Sequence, residues 1–300
     1  MDRTTFADRV ARSMDTLPGQ MSMAAHYVLE NPGDVALLSM REQARRAGVQ
    51  PWTMTRLAKR FGLDGYEAVR RLHGAALKEQ ALGFSGKADA QVARHREAGG
   101  HALAAEIAGM TASQVAALGE VATLDVLAQA AVTMATARRI YVLGLRSSRP
   151  VAEHLVYLLS FLGEKARIVD MRGGAGLDAL RFATADDVFF VATVAPYTRA
   201  SVEAARHART KHLPIVALTD NAGSPVAGLA RHAIFVGTES PSFFHAMTPA
   251  FAAVEMLAAL VAGEGGEKAL EAIARAEHEL SELRIHLFQR AARKRRDTHK

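Results

Sequence analysis

At 300 residues the chain is long enough for two domains, each with its own core. Nearly half of it is apolar (49%) and the mean hydropathy is +0.02. No run of about 18 apolar residues occurs, which sets aside a membrane-spanning segment. There is no cysteine, which excludes disulfides, thiolate metal sites and cysteine nucleophiles. The formal net charge of +6 is concentrated at one end: residues 284–300 hold seven Lys or Arg against one Asp, so the rest of the chain is neutral overall. That basic tail reads as a solubilising, frayed helix end. The first fifteen residues, MDRTTFADRVARSMD, carry charges throughout and no apolar h-region, so no secretory signal and a cytoplasmic location are expected.

In chain order, Leu17 to Glu30 reads as a helix with Met21, Ala24, Ala25, Val28 and Leu29 on one side. Asn31-Pro32-Gly33 stops it, because proline lacks the N–H and glycine unwinds the end. A short helical piece starts at Val35, and Ser39 caps a helix beginning at Met40. The next stretch, MREQARRAGVQPWTMTRLAKRFGLDGYEAVR (40–70), organises the first domain. Ala44 lets two helices close up, and Gly48 supplies the left-handed angle of a tight turn. Val49 plugs that turn, Pro51 suits the first position of the second helix, and Met54 and Leu57 bury its inner face. This Ala-x3-Gly-x5-apolar spacing is the helix-turn-helix signature.

The outward positions of the second helix are expected to be Gln50, Trp52, Thr53, Thr55, Arg56 and Lys59. Their amide, hydroxyl and cationic groups suit base edges and phosphates, and Arg45 joins them from the first helix. From Arg41 to Arg60 six basic residues face one acid, Glu42. Double-stranded operator DNA is the expected partner. Trp52 reads equally as a base-contacting aromatic or as a partly exposed packing residue. A further helix runs to about Ala81, completing an all-α domain over 1–82. Residues 83–122 are expected to hold a glycine- and charge-rich hinge, Gly83 to Gly100, and a connecting helix. Thr123 is the expected cap of the next helix, Leu124 to Ala137.

From Arg139 the period changes. IYVLGL (140–145), ARIVD (166–170), DVFFVATV (187–194), PIVALTD (214–220) and HAIFVG (232–237) are short β-rich runs. Helical stretches separate them at Pro150–Leu162, Leu177–Phe182, Thr198–Lys211 and Ser224–Leu229. Continuous apolar strands alternating with helices indicate a parallel sheet covered on both faces. Ligands of such sheets sit beyond the C-terminal strand ends, here the loops 144–149, 193–199 and 219–224. The first loop, GLRSSRP, opens a helix whose N-terminus favours an anion, with hydroxyls from Ser147 and Ser148 and charge from Arg146 and Arg149. A dinucleotide loop competes for this reading, with Asp170 in place of its ribose acid, but Arg146 stands where a second glycine must let a pyrophosphate approach.

On the runs from Tyr27 to Tyr66, YVLGLRSS, the strand-loop-helix around Thr198 and LTDNAGSPVAGLA (218–230), the chain resembles the RpiR-type bacterial transcriptional regulators. The resemblance spans roughly Leu17 to Gly263. It implies α + α/β architecture: an all-α helix-turn-helix domain followed by a SIS (sugar isomerase) domain, a three-layer α/β/α unit with a five-stranded parallel sheet over 123–265. Residues 266–300 then form a C-terminal helix and basic tail. It further implies a regulator, not an enzyme, whose SIS domain senses a small anionic metabolite, a phosphosugar or related acid, and so modulates operator affinity. Ser147 and Ser148 become the phosphate-contacting serines, joined by Arg146, Thr193 and Thr198. The second loop departs from the S-x-S-G-x-T form of SIS domains. It reads TVAPYT (193–198), with Ala195 and Pro196 replacing a serine and the glycine.

The competing reading is a sugar-phosphate isomerase with an accessory helical domain, using a glutamate and a histidine such as Glu153 and His154, or Glu239 and His245. Twelve histidines show no H-E-x-x-H or comparable pairing, so neither a metal nor a cofactor is expected. A homodimer or higher even oligomer is expected, because one recognition helix covers only half a symmetric operator. The apolar face of 150–162 (Leu155, Leu158, Leu159, Leu162) serves core or partner, and Ile273, Leu280 and Leu287 repeat at seven-residue spacing.

Overall fold

The computed structural model describes residues 6–7, 9–10, 13–81, 83–172, 176–285 and 287. They fall into two compact units, Met1–Ala108 with Ser240–His245, and Gly109–Glu239 with Ala246–Lys300.

The first unit is helical: α1 Gly19–Glu30, α2 Pro32–Leu37, α3 Met40–Arg46, α4 Pro51–Arg60, α5 Tyr66–Ala81 and the first part of α6 Gly83–Ala117. Its boundaries follow local chemistry. Pro32 and Pro51 each occupy a first helical position, where a missing N–H costs nothing. The Ser39 hydroxyl accepts from the Glu42 amide at 3.3 Å, capping α3. Gly48 holds φ 66° in the four-residue turn before α4, and the Val49 amide donates to the Ala44 carbonyl at 2.9 Å. Phe6, Met21, Val28, Val35, Ala44, Val49, Met54, Leu57, Phe61 and Val69 make one buried cluster. The spacing argument thus places Ala44, Val49, Met54 and Leu57 inside, as expected.

Gly83–Gly100, expected as a hinge, is helical instead. Within α6 the backbone leaves helical geometry at Gly99 (φ 82°, ψ 164°). Glycine lowers helix propensity by only about 1 kcal/mol per residue, and helix formers (Ala, Lys, Gln, Arg, Glu) make up most of the run between Gly86 and Gly99. In the same unit Phe84 stacks on Phe244 at 5.2 Å, and the Phe243 amide donates to Gln91 Oε1 at 2.8 Å.

The second unit holds α7 Val121–Thr136, β1 Ile140–Gly144, α8 Arg149–Ser160, β2 Ala166–Ile168, β3 Val188–Ala192, α9 Arg199–Thr210, β4 Ile215–Thr219, β5 His232–Phe235 and α10 Thr248–Glu282. Glu120 takes the N-cap position of α7, so Thr123, expected as the cap, lies inside the helix. Between β2 and β3, and between β4 and β5, the expected helices shrink to 3-10 turns at Gly176–Leu180 and Ala227–Leu229. All pairings are parallel, in the order β2-β1-β3-β4-β5. Strand residues alternate between two cores. Ile140, Val142, Val188, Phe190, Val216 and Leu218 join the cluster of α7, α8 and α10. Tyr141, Leu143, Phe189, Val191, Ile215 and Ala217 join that of α9. This is the three-layer α/β/α arrangement, and the continuous apolar strands are its consequence.

By length and composition alone α10 could cross a membrane. Its Ala250, Ala253, Val254, Leu257 and Val261 are buried in this core instead, and its backbone breaks at Gly266 (φ 51°). Leu155 and Leu159 are buried in the same core, with Leu158 and Leu162 packed against it. The Ile273–Leu280–Leu287 series does not form one helical stripe, because α10 ends at Glu282 and Leu287 is 97% exposed. The basic residues of 290–300 lie outside the described residues.

Candidate functional site

Two surfaces carry chemistry. On α4 the buried residues are Thr53, Met54, Leu57 and Ala58, which fixes the rotation of the helix. Trp52, Arg56 and Lys59 are exposed, as is Gln50 just before the helix. Thr53 is the correction: it is 2% exposed and faces inward, one residue before Met54 on the same inner face. Threonine's methyl group lets it pass for an apolar residue there, although its hydroxyl has no hydrogen-bond partner among the described residues. Thr55 is half-buried, its hydroxyl 3.5 Å from Met40 Sδ.

Charges on this surface divide into paired and unpaired. Glu42 receives Arg45 through Nε (2.9 Å) and Nη2 (2.6 Å), and Arg46 through Nε (2.9 Å). Arg46 also reaches Asp34 at 2.8 Å. Those two guanidinium groups hold the Glu42 carboxyl down to about 2. Arg41, Arg56, Lys59 and Arg60 have no ion pair among the described residues, so free positive charge lies at the start of α3 and on and at the end of α4. The Arg56 guanidinium sits 4.9 Å over the Trp52 ring.

The second surface lies at the C-terminal edge of the sheet. The chain goes from β1 to β2 on one side, then returns to place β3 on the other, so the order reverses between β1 and β3. Gly144 pairs with Ala192 at the ends of those strands, so the loops carrying Ser147 and Thr193 leave side by side. A Cβ on Gly144 would run into the Ser148 carbonyl oxygen and come 2.8 Å from Ala152 Cβ. Glycine here is what lets α8 start directly against the strand. Arg146 is exposed with φ 54°, Ser147 is half-buried, and Ser148 is buried at the N-cap position of α8. Thr193 is buried at the end of β3. Thr198 stands at the N-cap position of α9 and makes no side-chain cap hydrogen bond.

Arg149, a candidate source of charge, is committed elsewhere. Its Nε donates to Glu153 at 2.8 Å and its Nη1 to Asp170 at 3.4 Å. Asp170 is bound more tightly by Arg172, and these hydrogen bonds hold its carboxyl well below the usual range. The guanidinium left at the loop is Arg146. The loop after β4, expected from the strand order to border the site, also contributes side chains that the sequence did not single out, Thr219, Asn221 and Ser224. Asn221 Nδ2 donates to the Tyr197 hydroxyl at 3.2 Å, and Thr219 Oγ1 donates to Ser224 Oγ at 2.7 Å. Burial, then the nearby Asp220 carboxylate, pushes the Tyr197 phenol up, so it stays protonated at neutral pH. Tyr197 stands in the departing TVAPYT loop, where the sequence already offered it, with Arg199, as a residue that reshapes the pocket.

The family pattern described as "SIS domain" matches residues 133–260, which hold the whole sheet, α8 and α9, the end of α7 and the first part of α10. Residues 133–260, nearly all of them in the second unit, thus correspond to a SIS domain. No curated protein sequence matches the chain. Among solved structures, the sugar isomerase domain of an RpiR transcription factor from Sphaerobacter thermophilus is 22% identical, covers 59% of this chain and 98% of its own, and superposes with a TM-score of 0.54. The Vibrio vulnificus NanR protein complexed with ManNAc-6P is 22% identical, covers 93% of this chain and 98% of its own, with a TM-score of 0.53. These likenesses establish the fold, including the helical unit that precedes the SIS domain.

The residues weighed as an isomerase's base and acid are engaged otherwise. Glu153 pairs with Arg149, and His154 pairs with Glu255 at 3.0 Å. Glu239 accepts from Gln114 at 3.2 Å, and His245 stacks on Phe244 at 4.2 Å. Among the described residues no group of three or more His, Asp or Glu is placed to hold a metal ion.

Proposed function

We propose that the chain is a cytoplasmic transcriptional regulator that binds operator DNA through α4 and a small anionic metabolite, a phosphosugar or related acid, through its SIS domain. The observation that carries this reading is the pairing, on one chain, of an unpaired cationic helix face after a tight turn with an anion-ready loop at the sheet's switch point. The NanR structure supports it, since that protein shares the fold over most of the chain and was solved with a phosphosugar. In this reading Arg45, Gln50, Trp52, Thr55, Arg56 and Lys59 line the DNA face, without Thr53. Arg146, Ser147, Ser148, Thr193 and Thr198 line the effector site. The DNA-binding domain spans 1–82, a connecting segment 83–122 and the ligand domain 123–265. Two copies or a larger even number bind a symmetric operator.

Charge-assisted hydrogen bonds contribute about 1.5–3 kcal/mol each, so two or three at the serine loop make a micromolar-scale site. The test is an electrophoretic shift with the promoter beside the protein's own gene, with and without sugar phosphates, for wild type and Ser147→Ala/Ser148→Ala. Wild type shifts the promoter in preference to random duplex and responds to one of the phosphates; the double variant shifts it without responding. Absence of sequence preference would sink the regulator reading. Turnover of a sugar phosphate, with no DNA binding, would establish the isomerase instead.

A further inference from the structure

We infer that Trp52 is a positioning residue that holds the Arg56 guanidinium ready for a guanine edge in the major groove; this rests on the DNA-binding reading above. Buried Met54, Leu57 and Ala58 fix the phase of α4, so residues 52 and 56, one turn apart, lie side by side on its outer surface. Trp52 is 55% exposed, unusual for so large an apolar ring, and Arg56 covers it from 4.9 Å. Arg56 has no ion pair among the described residues, so the ring is what restricts it. A guanidinium held over a ring by its positive charge needs no N–H for that contact, so its N–H fork stays free for an acceptor. Two adjacent acceptors on one base edge match that fork, and guanine O6 and N7 supply them in the major groove. The indole alone has one donor and no acceptor, which reads a base poorly. Holding the fork before DNA arrives lowers the ordering cost of binding.

The test selects preferred sites from a random duplex library, then measures affinity for the selected site and for random duplex. It compares wild type, Trp52→Ala, Trp52→Phe, Arg56→Ala and the Trp52→Ala/Arg56→Ala double variant. Arg56→Ala is expected to lose on the order of ten-fold in affinity and its preference for one guanine per half-site. Trp52→Ala should lose about two- to five-fold, weaken preference at that same guanine, and add nothing in the Arg56→Ala background. Trp52→Phe should restore most of the loss. Trp52 is the only tryptophan, so its emission reports the stack directly: Arg56→Ala should raise acrylamide quenching in the free protein. A Trp52→Ala loss that is equal at all bases, or that persists in full without Arg56, overturns the inference. So does a Trp52→Ala variant that selects and binds like wild type. If wild type itself selects no site, the DNA-binding reading falls first and this inference with it.

Discussion

The Tyr66 hydroxyl donates to Gln43 Oε1 at 2.5 Å, joining α5 to α3 beneath the turn. Gln43 is fully buried, and its Nε2 donates onward to the Val35 (3.2 Å) and Leu38 (2.8 Å) carbonyls. One side chain therefore satisfies the backbone at the end of α2 while anchoring the helix that precedes the turn. Burial pushes the Tyr66 phenol up, which keeps its proton in place for this bond. Tyr66→Phe leaves Gln43 Oε1 buried without a donor and should cost about 1–3 kcal/mol. Gln43→Leu should cost more, because it strands two carbonyls as well as the tyrosine. Urea unfolding midpoints at unchanged slope measure both; a Tyr66→Phe midpoint matching wild type would remove this network from the account.

Gly144→Ala tests the tight start of α8. The added methyl meets the Ser148 backbone and Ala152, neither the far end of a flexible side chain. Destabilisation of about 1–3 kcal/mol is expected, with displacement of Ser148. Melting temperature and phosphate response should therefore fall together. An alanine variant with both unchanged would show that the strand and helix can part without loss.

Glu42 makes part of the helical unit's stability depend on acid pH. Its carboxyl lies at about 2 in the folded chain against an ordinary 4.5, so the stabilisation is full above about 4.5 and is lost as pH falls through about 2. The melting temperatures of wild type and Glu42→Gln should differ at neutral pH and converge between those values. A gap that stays constant down to pH about 2 would mean that Arg45 and Arg46 do not discriminate the ionised form.

The legible parts of this chain were those set by local pattern. Ala44, Gly48, Val49 and Met54 specify the turn through size and backbone angle, and uninterrupted apolar runs such as VFFVA specify buried parallel strands. What escaped depended on contacts distant in sequence or on finer rotation. Thr53 was assigned outward because its hydroxyl is polar, yet the helix turns it in with Met54. Arg149 offers charge to the loop in the sequence, yet it is drawn off by Glu153 one turn later and, less closely, by Asp170, which only the sheet order brings near it. Gly83–Gly100 reads as a hinge from its glycines and charges, though the same charged residues, with alanine and glutamine, are good helix formers and carry the helix as far as Gly99.

Arg146 sits at φ 54°, in the left-handed region where a Cβ crowds the following carbonyl at a cost of about 1–2 kcal/mol. Glycine would relieve that strain and at the same time delete the one guanidinium that, among the described residues, is left without an ion pair at the serine loop. Arg146→Gly should melt higher than wild type and show a weaker thermal shift with sugar phosphates. Directed evolution of this protein for heat resistance alone would then drift toward variants blind to their effector, so selection must score the response as well as survival.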